Sequence, residues 1–157
     1  MHGGECSAAI RQNTHVEVQQ SSHGVYRTEY HVVWITKYRR QVLNPGVRAY
    51  LSKLLALVMA ELPDCRLVEQ NVQPDHVHLV VVIPPRYAVS TVVGRLKART
   101  ASKLREKFAW LGKVYWADNI MWSPGYFVST VGVNEEQILR YVQWQGRRDS
   151  GQAKPEF

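Results

Sequence analysis

The sequence predicts an α+β fold: a ferredoxin-like split βαβ sandwich, with an antiparallel sheet carrying helices on one face and one extra helix at the C-terminus. Two observations carry that expectation. Four runs rich in β-branched and aromatic residues and three stretches of helical apolar spacing follow one another in the order β-α-β-β-α-β-α. Hydrophobic residues make up 45% and charged residues 21% of 157 positions, the balance of a single globular domain with one core.

Taken in order, residues 26–35 are rich in aromatic and β-branched side chains and read as the first strand, followed by the basic exit Lys37-Tyr38-Arg39-Arg40. Asn44-Pro45-Gly46 is a turn that can also open a helix. Residues 47–62 then repeat Leu51, Leu54, Leu55, Val58 and Leu62 at helical spacing until Pro63-Asp64 stops them. Arg66–Val72 and residues 76–83 read as strands joined by the tight turn Gln73-Pro74-Asp75, and Pro84-Pro85 ends the second of them. Ser90 is placed to cap a helix running to about Phe108, with Val92, Val93, Leu96, Leu104 and Phe108 facing inward. Residues 126–131 form the fourth strand. The last helix is well signalled: Asn134 as cap, Gln137 three residues later, and Val133 with Ile138 as a hydrophobic staple.

Residues 1–22 read as a polar N-terminal tail without stable structure, residues 23–146 as the domain, and residues 147–157 as a basic, polar C-terminal tail. The net charge is +7, from 20 Lys and Arg against 13 Asp and Glu. The N-terminal tail holds one arginine and two glutamates, so the basic excess belongs to the domain and favours a polyanionic partner. Two cysteines, Cys6 and Cys65, are too few for a disulfide scaffold or a zinc ribbon. No apolar run approaches membrane-spanning length and the first 20 residues lack the apolar centre of a secretory signal, so a soluble, cytoplasmic protein with no membrane partner is expected.

Side chains alternate faces along a strand, so His76 and His78 project to one side, close enough to chelate one metal, while Val77, Leu79, Val81 and Ile83 form the core face. Two imidazoles leave coordination positions open. The same pair also reads as two half-exposed strand histidines with no metal. On the last helix Tyr141 and Gln145 stand one turn apart on one face. A phenol is a poor nucleophile unaided but can attack a phosphodiester that a metal polarises, and Gln145 can add a carbonyl oxygen to the two imidazoles. Equally, Tyr141 can simply extend the apolar face of Ile138 and Val142.

Arg95, Arg99 and Lys103 repeat every four residues and make a basic stripe without acids of its own on that face, suited to a phosphate backbone. Lys37, Arg39 and Arg40 extend the expected footprint, as do Arg147 and Arg148. Of five tryptophans, Trp34 reads as core, and Trp116 and Trp122, in the loop stretch that runs into Pro124-Gly125, as platforms for unpaired bases. His31 reads as a packed or hydrogen-bonded strand residue. Gly132 supplies a turn conformation closed to other residues.

The runs Tyr30-His31-Val32-Val33-Trp34 with Lys37-Tyr38-Arg39-Arg40, Asp75-His76-Val77-His78-Leu79, and Tyr126-Phe127-Val128-Ser129-Thr130-Val131-Gly132 before the Tyr141 helix stand in one order. From about Val25 to Gln145 the chain resembles the single-tyrosine HUH transposases of small prokaryotic insertion sequences, the insertion-sequence-200-like group. The resemblance implies that His76 and His78 bind a divalent metal, Mg2+ or Mn2+, with Gln145 as third ligand. It implies that Tyr141 cleaves single-stranded DNA bearing hairpins at element ends, leaving a 5′-phosphotyrosine link and a free 3′-hydroxyl. It further implies a cytoplasmic, nucleoid-associated homodimer in which each tyrosine helix completes the partner's site, with Gly132 as the hinge. The sequence is compatible with two other readings. One is a non-catalytic ferredoxin-like module that binds structured single strands; the other is a domesticated relative acting on repeated genomic hairpins. A metallo-phosphoesterase with an activated water would need further carboxylate or histidine ligands, and no convincing cluster is present.

Overall fold

The computed structural model describes residues 19–21, 24–26, 28–117 and 119–151. The first 18 residues of the expected N-terminal tail, and residues 152–157, lie outside them. A short antiparallel hairpin of β1 (Gln19–Ser21) and β2 (Gly24–Tyr26) precedes the domain proper, so the expected first strand is two: β2 and then β3 (Glu29–Ile35). After β3 come a 3-10 turn (Lys37–Arg39), α1 (Pro45–Ala60), β4 (Arg66–Val72), β5 (His76–Val82), α2 (Val89–Lys107), the short α3 (Trp110–Val114), β6 (Phe127–Ser129) and α4 (Glu135–Asp149). The main sheet runs in the order β4-β5-β3-β6, with every neighbouring pair antiparallel. That is the split βαβ arrangement the element order predicts.

The sheet is covered on both faces, and this explains the nearly continuous apolar run of its central strands. On one face Val77, Leu79, Val81 and Ile83 join Val32 and Trp34 against Leu51, Leu55 and Val58 of α1 and Val92, Val93, Leu96 and Leu104 of α2. On the other, Val33 and Ile35 lie under Tyr141 and Val142 of α4, with Phe127, Ile138 and Trp144 at the margin. The helices begin where their chemistry allows. Asn44 accepts the Val47 amide at 3.0 Å with Pro45 in the first turn, and Asn134 and Gln137 form a reciprocal capping box. Ser90 is not a cap: Ala88 takes that position, its carbonyl accepting from Thr91 and Val92, and Ser90 falls inside the first turn. β6 is shorter than expected because the Ser129 hydroxyl bonds the amide and carbonyl of Val131 and turns the chain off the sheet. α4 continues to Asp149, past the expected end of the domain at 146.

The segment between α3 and β6 carries core side chains. Tyr115, Met121 and Trp122 are buried. Trp122 stands edge-on to Trp34 at 5.9 Å and donates its indole N–H to Thr100 at 3.1 Å. It is therefore not available for base stacking, whereas Trp116 is 80% exposed. Lys97 anchors the same segment by donating to the carbonyls of Ser123 (2.8 Å) and Gly125 (2.6 Å). No described helix is long and apolar enough to cross a membrane.

Burial of the Lys97 ammonium, opposed by the charge of Asp149, pulls its pKa down to about 8. Above that value the unfolded chain holds a proton that the folded chain has released, so folding stability gains with pH up to the ordinary lysine value of 10.5. Urea denaturation from neutral pH to about pH 10 should show wild type gaining stability relative to Lys97→Met. A pH-independent difference contradicts the burial.

Candidate functional site

The site grows from the register of β3 on β5. Val33 opposes His78 and Ile35 opposes His76, so both imidazoles share the sheet face that α4 covers. Asn71 opposes His78 from β4 on the same face. Asn71, Gln73, His76 and His78 form one wall of a cleft of about 280 Å3, and Glu135, Ile138 and Leu139 of α4 form the other.

Each histidine has a fixed neighbour. His76 Nδ1 lies 2.8 Å from Asp75 Oδ1, and Asp75 Oδ2 accepts from Arg39 Nε at 3.3 Å. The hydrogen bond from His76, aided by Arg39, holds the Asp75 carboxyl below the usual carboxylate range, although burial works against it. Against an ionised carboxylate, which only accepts, Nδ1 is the nitrogen that donates. His78 Nε2 lies 3.3 Å from His31 Nδ1, as expected of a hydrogen-bonded strand histidine at position 31. Burial first, and the nearby imidazoles of His31 and His76 second, lower the pKa of His78, which keeps it neutral and able to ligate.

Tyr141 and Gln145 lie on the helix over this face but are engaged elsewhere. The Tyr141 ring packs against Phe127 and Trp144 at centroid distances of 5.7 and 6.3 Å. Its hydroxyl is buried without a hydrogen-bond partner among the described residues, and burial drives its pKa far above the ordinary phenol value. In this arrangement the phenol keeps its proton. Gln145 donates to Ser123 Oγ (2.8 Å) and Asp149 Oδ1 (3.2 Å). Asp149 also accepts from Ser123 Oγ at 2.6 Å and from the Tyr38 amide at 2.9 Å, with Lys37 Nζ at 3.7 Å. Ile138, one turn before Tyr141, lines the cleft; neither Tyr141 nor Gln145 is among its described walls. Among the described residues no three His, Cys, Asp or Glu side chains converge on one ion position. The structure thus brings His76 and His78 together and leaves Tyr141 and Gln145 in a separate cluster under the same helix.

The basic residues require a correction. Arg95 and Arg99 are not without an acidic partner: Glu61, at the end of α1, accepts from Arg95 at 2.9 Å and from both ends of the Arg99 guanidinium at 3.1 Å. Lys103 stands 3.8 Å from Glu106. The stripe lies on α2, which packs on the sheet face opposite the histidines. Lys37 faces Asp149, Arg39 faces Asp75, and Arg40 stacks between Tyr38 and Tyr115 while donating to the Val114 carbonyl. Gly132 is also corrected: its φ lies outside the left-handed region, and an added Cβ would meet nothing within 4 Å. The glycine that the packing requires is Gly146, where a Cβ would run into Cδ and Cγ of Arg39. Ser123, Asp149 and Gly146 carry no local signal in the sequence, and Asp75 stands there only as a turn residue and as the start of the Asp75-His76-Val77-His78-Leu79 run.

The family profile described as "Transposase IS200 like" matches residues 24–145, from β2 through both histidines and Tyr141 to Gln145. The chain belongs to the IS200-like transposase family. This IS200-like transposase is 33% identical over 128 residues to the transposase for insertion sequence element IS200 of Salmonella typhimurium, across 82% of the chain and 83% of the relative. It is also 33% identical over 131 residues to the ISDra2 transposase TnpA of Deinococcus radiodurans, across 83% of the chain and 92% of the relative. A crystal structure from Deinococcus radiodurans, assigned as a transposase, matches its fold with a TM-score of 0.72 at 32% identity, over 81% of this chain and 97% of that one.

Replacing Gly146 by Ala should destabilise the protein by about 1–3 kcal/mol through overpacking on Arg39, despite alanine's better helix propensity. Gly132→Ala should change stability by no more than about 0.5 kcal/mol. Urea denaturation of both variants checks the contrast, and equal effects contradict it.

Proposed function

We propose that this transposase cleaves and rejoins single-stranded DNA bearing hairpins at the ends of its element, with Tyr141 as the nucleophile. The observation that carries the reading is the pair His76 and His78, side by side in a cleft whose other wall is the helix bearing Tyr141. The donor set suits a divalent ion: a neutral His78, a His76 whose Nδ1 is satisfied by Asp75, and room beside both for other ligands. His76, His78 and Gln145 would hold Mg2+ or Mn2+, which when bound polarises the scissile phosphate and stabilises the charge that develops on it.

The phenol oxygen of Tyr141 forms a bond to phosphorus as the bond to the 3′ oxygen breaks. The phenol proton passes to solvent, and the leaving oxygen takes up a proton to become a 3′-hydroxyl. Rejoining reverses the attack, so the phosphodiester's bond energy is kept and no nucleotide cofactor is needed. Tyr141 as it is packed between α4 and the sheet cannot do this, because its hydroxyl is buried and firmly protonated. The reading therefore includes a displacement of α4, pivoting in the exposed segment around Gly132, and a homodimer in which the helix of one subunit serves the histidines of the other. Arg95, Arg99, Lys103, Lys37, Arg39 and Arg40 contribute attraction to the DNA backbone, muted at each position by the partner described above.

A labelled single-stranded hairpin from beside the gene, incubated with the protein and Mn2+ and run on a denaturing gel, should move to protein mass, with the adduct on Tyr141. Tyr141→Phe should remove the adduct while hairpin affinity stays within about threefold, because a lone hydroxyl is a small part of a phosphate-dominated interface. His78→Ala should remove the metal-dependent adduct. An adduct that survives Tyr141→Phe refutes the nucleophile, and tight binding without any adduct favours a binding module instead.

A further inference from the structure

Asp75 is held more firmly than a turn residue requires. Its carboxylate divides between two partners, Oδ1 to His76 Nδ1 at 2.8 Å and Oδ2 to Arg39 Nε at 3.3 Å. Its carbonyl takes the Thr36 amide at 3.0 Å and the Thr36 hydroxyl at 3.2 Å. Arg39 is itself fixed. Tyr38 and Arg39 take left-handed backbone conformations with φ of 61° and 53°, a region that side chains bearing a Cβ rarely enter. Asp149 of α4 accepts the Tyr38 amide and so stabilises that strained turn. The methylenes of Arg39 lie on the bare backbone of Gly146, the position where a Cβ would collide with them. A continuous path of contacts therefore runs from His76 through Asp75 and Arg39 to the helix that bears Tyr141.

We infer that Asp75 is the positioning residue of the histidine site, fixing His76 as the Nδ1–H tautomer so that Nε2 presents its lone pair to the cleft, with Arg39 pinning the second carboxylate oxygen. The inference deepens the proposed function and rests on its assignment of His76 as a metal ligand. A neutral imidazole has one proton for two nitrogens, and its partner decides which nitrogen keeps it. A carboxylate only accepts, so it admits one answer. An asparagine at 75 can accept or donate, and its amide, if turned with oxygen to His76, would aim N–H groups at the Arg39 guanidinium. The tautomer is then no longer imposed.

The test uses the metal-free full chain and Mn2+ alone. Long-range 1H–15N spectra of metal-free wild type should show His76 as the single Nδ1–H tautomer; an Nε2–H tautomer overturns the proposal whatever any variant does. Asp75→Asn should give a mixture of the two tautomers. By electron paramagnetic resonance of free Mn2+, it should bind about 10–100-fold more weakly, the range for loss of an outer-sphere partner. Arg39→Met, which keeps the His76–Asp75 bond, should keep the tautomer and bind Mn2+ with intermediate affinity. Unchanged tautomer and affinity in Asp75→Asn contradict the inference. If wild type binds no Mn2+ while its tautomer still depends on Asp75, the positioning role stands and the metal assignment falls.

Discussion

The pairing of Glu29–Ile35 with His76–Val82 is the constraint on which the remaining structure depends. One register assigns Val77, Leu79 and Val81 to the core beneath two helices and assigns His76 and His78, with Val33 and Ile35, to the opposite face. A slip of one residue would turn both imidazoles into the leucine and valine core and carry the core side chains to the α4 face, so the pattern is strongly selected. The sheet therefore does two jobs with one sequence: it holds the fold together on one side and presents a pair of ligating groups on the other.

The second face is shared between apolar and polar business. α4 buries Tyr141 and Val142 on Val33 and Ile35, while its first turns leave a cleft beside the histidines. Its C-terminal turns are tied down by Asp149, which gathers Ser123, Gln145 and the Tyr38 amide. Against these bonds stands the Tyr141 hydroxyl, buried with no partner among the described residues, a cost of about 1–3 kcal/mol that exposure would relieve. The helix is thus held by polar contacts at one end and carries an unsatisfied group at its middle, which is the balance expected of an element that moves in the proposed reaction.

What the sequence disclosed and what it hid follow from the range of the interactions. Alternation along His76–Val82, the Asn134–Gln137 capping box and the turn at Gln73-Pro74-Asp75 are local, and each is found where the sequence places it. The partners of Arg95 and Arg99 were hidden because Glu61 arrives from another helix, more than 30 positions away in the chain. Trp122 reads as a loop residue beside Ser123 and Pro124, but Trp34 and Thr100, both distant in sequence, pack against it. Gly132 and Gly146 changed roles for the same reason: the close approach of Arg39 to Gly146 joins two segments that nothing in the local sequence connects. Asp149 stands in a polar stretch that reads as a tail, yet its carboxylate is nearly buried at a junction of three segments.

In the proposed reaction the tyrosine and the histidines of one active site come from different subunits. Mixing His78→Ala chains with Tyr141→Phe chains, after exchange of subunits, tests it most directly. Neither variant alone should form a covalent adduct with labelled hairpin DNA. The mixed dimer should contain one intact composite site and place the label on the His78→Ala chain, the one that keeps Tyr141. No adduct in a mixture verified to contain mixed dimers, with wild type active in parallel, would contradict the claim and return both groups to the same subunit.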